Sequence, residues 1–221
     1  MKFVAVNGSP KTGESVSSFL IGQIETITQR QATVFQARKL IQQENASDTF
    51  GEILDADVLL IVFPMYVDSL PAPLVEALSG IEQAAAVFKH RVDVPVKPAP
   101  KVFAICNCGF YESEQTHLAL RMIEHFAIRA GFTWGYGIGI GCGGFLLSQT
   151  KGLAKGPAVN VYAALCELSN AMLTDEVNRE NLFVTPKIPR SLYKLGGNMG
   201  WAQMAKKYGT RNALQAKPHI I

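Results

Sequence analysis

The chain has 221 residues, 48% of them apolar, enough to bury a sizeable core as one domain with or without an appendage. Its longest apolar run, at residues 58–65, is far short of the roughly 20 residues a membrane span needs, and the opening run at residues 2–6 is too short for a signal peptide. The formal charge of +3 belongs to the tail: residues 181–221 hold seven Lys or Arg and no Asp or Glu, which leaves −4 on the remainder. Basic residues spread so thinly, without an interleaved aromatic stripe, do not make a nucleic-acid-binding face.

Apolar runs of strand length alternate with segments of helical period, the order of a parallel sheet covered by helices on both faces. Residues 3–6 read as the first strand, followed by a turn and a helix on which Val16, Phe19, Leu20, Ile24 and Ile27 recur at helical spacing. A second strand is predicted at 32–35 and a short helix at 48–54. The third strand, 58–63, is a continuous β-branched and leucine run of the kind buried on both faces. A helix from Pro73 to about Ala85 follows, then a proline-rich surface excursion over 86–100. The fourth strand is placed at 102–106, a helix at 115–129 ending at Gly131, and the fifth strand at 132–140. Pro157 introduces a last helix to about residue 177. Five strands thus complete one doubly wound domain, residues 1–180, and residues 181–221 form a basic C-terminal extension able to make short amphipathic helices. Three roles stay open for that extension: docking on this protein's own surface or across a dimer, a lid over a site, and membrane-surface attachment, the least favoured because its charge density is modest.

In such a sheet ligands bind outside the carboxyl ends of the strands, where the topology switches. The loop after the first strand reads Asn7, Gly8, Ser9, Pro10, Lys11, Thr12, Gly13, Glu14, Ser15, Val16, Ser17. Hydroxyls, a lysine and the N–H groups of a helix N-terminus converge there, which suits a phosphate. The same residues also describe a plain β–α turn capped by Ser15. No Gly-Lys-Ser or Gly-Lys-Thr follows, so this is not a nucleoside-triphosphate loop. After the third strand, Pro64, Met65, Tyr66 and Val67 put a thioether and an aromatic ring at the mouth of the sheet, as ring-packing groups or as rim packing. After the fourth, Asn107, Cys108 and Gly109 offer an amide and a close backbone approach to the polar edge of a heterocycle, or simply a turn.

These residues carry a resemblance. Gly8, Ser9, Pro10, Lys11, then Ser15 and Ser17, match the phosphate-loop pattern of the NADPH-dependent FMN reductase family, a branch of the flavodoxin-like superfamily that includes the quinone reductases. Asp57, the strand at 58–63, then Pro64, Met65, Tyr66 and Pro71 resemble its second signature, and the likeness covers about residues 1–145. The resemblance implies a flavodoxin-like fold and an FMN whose phosphate is held by Ser9, Lys11, Ser15, Val16 and Ser17. It implies a ring bordered by Pro64, Met65, Tyr66, Val67, Asn107, Cys108 and Gly109. It further implies hydride transfer from NADPH or NADH to the flavin N5, with no catalytic side chain of the protein's own, and on to a quinone, flavin or other small acceptor. A homodimer paired across the site is implied as well, with 86–100 as a candidate contact. The alternative is an FMN-binding electron carrier or flavin-binding regulatory protein without nicotinamide oxidation. There are two departures from the pattern: Glu14 stands where Asn or Gly is usual, and Asn107-Cys108-Gly109 matches the third loop only in part.

Other signals are discounted. Gly139, Gly141 and Gly144 satisfy G-x-G-x-x-G, but no acid follows until Glu167, so a dinucleotide fingerprint is not read. Cys106, Cys108, Cys142 and Cys166 lack metal-site spacing, and the iron–sulfur branch of the family has a compact cysteine cluster missing here. Cys106 and Cys108 are expected to be buried and inert, in a reducing compartment, the cytoplasm. His90, His117, His125 and His219 do not pair as ligands, and no metal is expected.

Overall fold

A computed structural model describes residues 1–40, 46–89, 97–149, 152–174 and 176–210, the side chains of 46–48 and 89 excepted. It divides into two units, Met1–Pro186 and Lys187–Ile221. The first is a parallel sheet in the order β2-β1-β3-β4-β5-β6. Its strands are β1 (Phe3–Asn7), β2 (Thr33–Gln36), β3 (Val58–Pro64), β4 (Lys101–Asn107), β5 (Thr133–Ile140) and β6 (Leu182–Val184). The helices are α1 (Val16–Thr28), α2 (Ala37–Leu40), α3 (Ala46–Leu54), α4 (Ala72–Lys89), α5 (His117–Ala130), α6 (Gly143–Leu146) and α7 (Val159–Leu173).

The central strands are buried along nearly their whole length, β3 with the pattern of six buried residues from Val58 to Phe63. A strand walled in on both sides has no polar face, which is why Val-Leu-Leu-Ile-Val-Phe reads as an unbroken apolar run. One core packs α2, α3, α4 and α5 against Val4, Leu59, Ile61 and Ala104. The other packs α1, α6 and α7 against Ala5, Leu60, Val62, Ile105 and Ile138. Helix ends follow local chemistry: Ser15 caps α1, and Gly131, at φ 74°, closes α5 with its N–H on the Ala127 and Ile128 carbonyls. Pro157 lies in the single 3-10 turn that opens α7.

The five-stranded expectation is corrected to six. Residues 177–184 run beside β5: Asn178 and Arg179 N–H groups donate to the Trp134 and Gly135 carbonyls, and the Gly137 N–H donates to Asn181 Oδ1 at 2.7 Å, before Leu182–Val184 pairs with Ile138–Ile140. Three half-buried residues at a sheet edge are too short to give a period-2 signal. Of the 86–100 excursion, α4 takes residues as far as Lys89, and residues 90–96 lie outside the described residues, as do His90 and His219.

Among its described residues the second unit holds one helix, α8 (Arg190–Lys207), led in by Pro189 and ending on Lys206 and Lys207, cations that suit the negative end of a helix dipole. No helix among the described residues is long and apolar enough to cross a membrane.

Candidate functional site

The chain leaves β1 toward one face of the sheet, into α1, and leaves β3 toward the other, into α4. Because β1 and β3 are neighbours, the switch point at which this topology binds ligands lies between their carboxyl ends. Register brings the predicted loops together there: Asn7 pairs with Val62, Pro64 with Asn107, and Asn107 with Ile140.

The loop after β1 starts in a constrained bend. The Gly8 N–H donates to the Val62 carbonyl at 2.8 Å, and a Cβ on Gly8 would come within 2.7 Å of Phe63 Cβ and 2.8 Å of Leu74 Cδ2. Gly8 is therefore required by packing, whatever the loop binds. The Ser9 N–H donates to Asn7 Oδ1 at 2.9 Å, and Ser9 Oγ accepts from the Lys11 N–H at 3.4 Å. Ser15 is the N-cap: its Oγ accepts from the Ser18 N–H at 3.0 Å while Ser18 Oγ accepts from the Ser15 N–H at 2.9 Å. This is a capping box in which serine replaces the usual acid or amide. The capping reading of Ser15 is thus realised, and its hydroxyl is committed to the helix end.

What remains at this terminus favours an anion. The first-turn N–H groups of Val16 and Ser17 point out of α1 without intrahelical partners, as helix geometry dictates, and add to the positive end of the dipole. Ser17 is buried and its Oγ has no hydrogen-bond partner. A buried hydroxyl without a partner is costly, and a phosphate oxygen would satisfy it. Ser9 is buried, Lys11 is exposed, and Val16 is half-buried. Glu14 is exposed, so its carboxylate is solvated rather than pressed against this cradle.

After β3, Pro64 is half-buried and Met65 buried, its N–H donating to the Asn107 carbonyl at 2.8 Å. Tyr66 is 45% exposed, at the start of a tight turn with Val67 and Asp68 at its tip. Asn107 and Cys108, by contrast, are buried. Asn107 Nδ2 donates to the Phe63 carbonyl at 3.0 Å, so that amide is spent on tying β4 to β3. Gly109 is exposed, so a ligand would meet this loop chiefly through backbone.

One feature of the site went unread in the sequence. The loops after β4 and β5 are laced together. The Cys108 N–H donates to the Ile140 carbonyl at 2.9 Å, the Gly143 N–H to Cys108 at 2.7 Å, and the Cys142 N–H to Phe110 at 2.6 Å. Thr185 Oγ1 donates to the Tyr111 carbonyl at 2.9 Å, adding a tie from beyond β6. Two glycines, Gly139 in β5 and Gly141 just past it, make the approach possible. A Cβ at Gly139 would strike Thr116 Oγ1, and one at Gly141 would strike the Tyr111 carbonyl oxygen. These two glycines serve packing, whereas nothing lies within 4 Å of a Cβ on Gly144.

Burial pushes the Cys106 thiol well above its ordinary range, raises that of Cys108, and pushes Cys142 up to about 11. Thiols held protonated in this way are poor nucleophiles. Ellman's reagent at pH 8 is expected to titrate one of the four cysteines quickly in the native protein, the half-buried Cys166, and the other three only on unfolding. Rapid loss of two or more thiols would show that the site loops open.

A cleft of about 400 Å³ lined by Leu54, Phe88, Pro100 and Phe132 lies at the opposite, amino end of the strands and plays no part in this arrangement.

No protein-family model matches the chain, and no curated protein matches its sequence. Solved structures match its fold. An NADH:FMN oxidoreductase in its apo form superposes with a TM-score of 0.56 at 14% identity, over 80% of this chain and 90% of that one. A protein from P. pentosaceus described as an NADPH-quinone reductase gives 0.55 at 14%, over 79% and 99%. A putative quinone reductase from Klebsiella pneumoniae gives 0.51 at 13%, over 80% and 86%. The chain shares with these proteins the flavodoxin-like α/β fold, with its parallel sheet between two layers of helices.

Proposed function

We propose that this protein is an FMN-dependent NAD(P)H oxidoreductase that passes electrons from a reduced nicotinamide nucleotide to a quinone, a flavin or another small acceptor. The observation that carries the reading is the unpartnered, buried Ser17 hydroxyl beside the open N–H groups of α1, at the switch point of the sheet. The activities named for solved structures that share the fold agree with it.

In this reading Ser9, Lys11, Ser15, Val16 and Ser17 hold the phosphate: Lys11 by charge, Val16 and Ser17 by backbone N–H groups, and Ser17 also by its hydroxyl. Ser15 acts mainly by holding the helix end in shape. Pro64, Met65, Tyr66 and Val67 border one side of the ring, and Asn107, Cys108 and Gly109 border another through backbone. Bound FMN supplies the two-electron chemistry, so the protein's part is to bind, orient and shield. Tyr66, partly exposed, would let nucleotide and acceptor reach a bound ring in turn. Two copies pair across the site, and the protein works in the cytoplasm.

The test is an anaerobic titration of purified protein with FMN, followed by NADH or NADPH. Uptake of FMN and rapid bleaching of the visible flavin band support the proposal. Uptake without bleaching would reassign the protein as an electron carrier or flavin-binding regulator, and no uptake would remove flavin from the account.

A further inference from the structure

The turn after β3 holds a residue that folding disfavours. Tyr66 and Ser69 exchange both backbone hydrogen bonds at 3.0 Å, and the two residues between them, Val67 and Asp68, have φ of 49° and 57°. Two positive φ values at the centre of a two-residue hairpin are the signature of a type I′ turn, whose positions suit Asn and Gly. Valine is a poor choice: its branched Cβ crowds the backbone in the left-handed region. Its side chain is also 97% exposed, so no burial offsets the strain.

The surroundings point to what does. Tyr66, 45% exposed, precedes it, and Phe110, 53% exposed, stands on the neighbouring loop after β4. Met122 brings its Sδ to 3.7 Å from Ser69 Oγ at the base of the turn. Exposed apolar side chains therefore stand on the adjoining loops after β3 and β4, one of them at a strained tip, and strain of this kind persists where a site makes use of it. We infer that Val67 is a specificity-determining residue, its isopropyl group forming an apolar wall against which a flat, uncharged acceptor of the quinone class seats. The inference rests on the proposed flavin chemistry and adds the part of the chain that chooses among acceptors.

Val67→Asn tests it, because the two consequences have opposite signs. Asparagine accepts the left-handed region, so the melting temperature of the flavin-free variant rises by about 2 °C or more. In the FMN-loaded enzyme, kcat/KM for a neutral naphthoquinone falls about tenfold relative to that for hexacyanoferrate(III), a charged oxidant that needs no apolar wall. Val67→Leu, apolar like the original, keeps the ratio within about twofold. An unchanged or lower melting temperature in Val67→Asn overturns the strain premise, and an unchanged acceptor ratio overturns the assignment. Failure of the proposed function looks different: wild-type protein that takes up no FMN, or whose bound FMN no reduced nicotinamide bleaches, while the melting gain of Val67→Asn stands.

Discussion

Ser17→Ala is expected to make the flavin-free protein more stable and its FMN complex weaker. In the free protein the Ser17 hydroxyl is buried and unpaired, so deleting it removes a desolvated polar atom and raises the melting temperature by a few degrees. In the proposed complex the same hydroxyl would donate to a phosphate, and a hydrogen bond to a charged group contributes about 1.5–3 kcal/mol, or roughly 10- to 100-fold in Kd. Melting curves of the apo form and flavin fluorescence titrations read the two effects separately. A variant that melts lower and binds FMN unchanged would mean that Ser17 is satisfied within the fold and that the phosphate, if bound, lies elsewhere.

Gly141→Ala is expected to be among the most damaging single-methyl changes in the chain. The added Cβ would run into the Tyr111 carbonyl oxygen and come within 2.9 Å of Thr185 Oγ1 and 3.1 Å of the Ser113 nitrogen. Two of these are backbone atoms, which have no rotamer with which to retreat. Overpacking of this kind costs about 3 kcal/mol, or roughly 10 °C in melting temperature for a domain of this size. Gly144→Ala is the control: nothing lies within 4 Å of its Cβ, and the change should be neutral to within about 0.5 kcal/mol. Equal effects at the two glycines, or loss of nucleotide binding at both with stability intact, would revive the dinucleotide-fingerprint reading. Thermal melts of the two variants decide it.

Much of this fold was legible because its signals are long or local. The apolar run at Val58–Pro64 announces a strand buried on both faces, Gly131 ends α5 where a left-handed residue is needed, and Pro157 opens α7. The sixth strand was not legible: Leu182–Val184 has too few residues for a period, and the ties that hold it, such as Asn181 Oδ1 to the Gly137 N–H, are long-range. The same division runs through the site. The serines after β1 and the turn at Tyr66 announce themselves as residue types in the right order. The commitment of Ser15 to the helix cap and of Asn107 to the Phe63 carbonyl are matters of which partner wins, and composition does not contain that answer. Glu14, a departure from the expected pattern, proves to be exposed.

The lacing of the loops after β4 and β5 gives the carboxyl end of the sheet one unyielding side. Amides of Cys108, Cys142 and Gly143 are all anchored to carbonyls across the two loops, so moving that side means breaking several bonds at once, in a part of the molecule continuous with the sheet. The opposite jaw, at Tyr66 and Val67, hangs on a single two-residue bend. At the proposed site, guests of different thickness would then be accommodated by displacement of the bend, and directed evolution toward bulkier substrates should accumulate its changes there, leaving the laced side untouched.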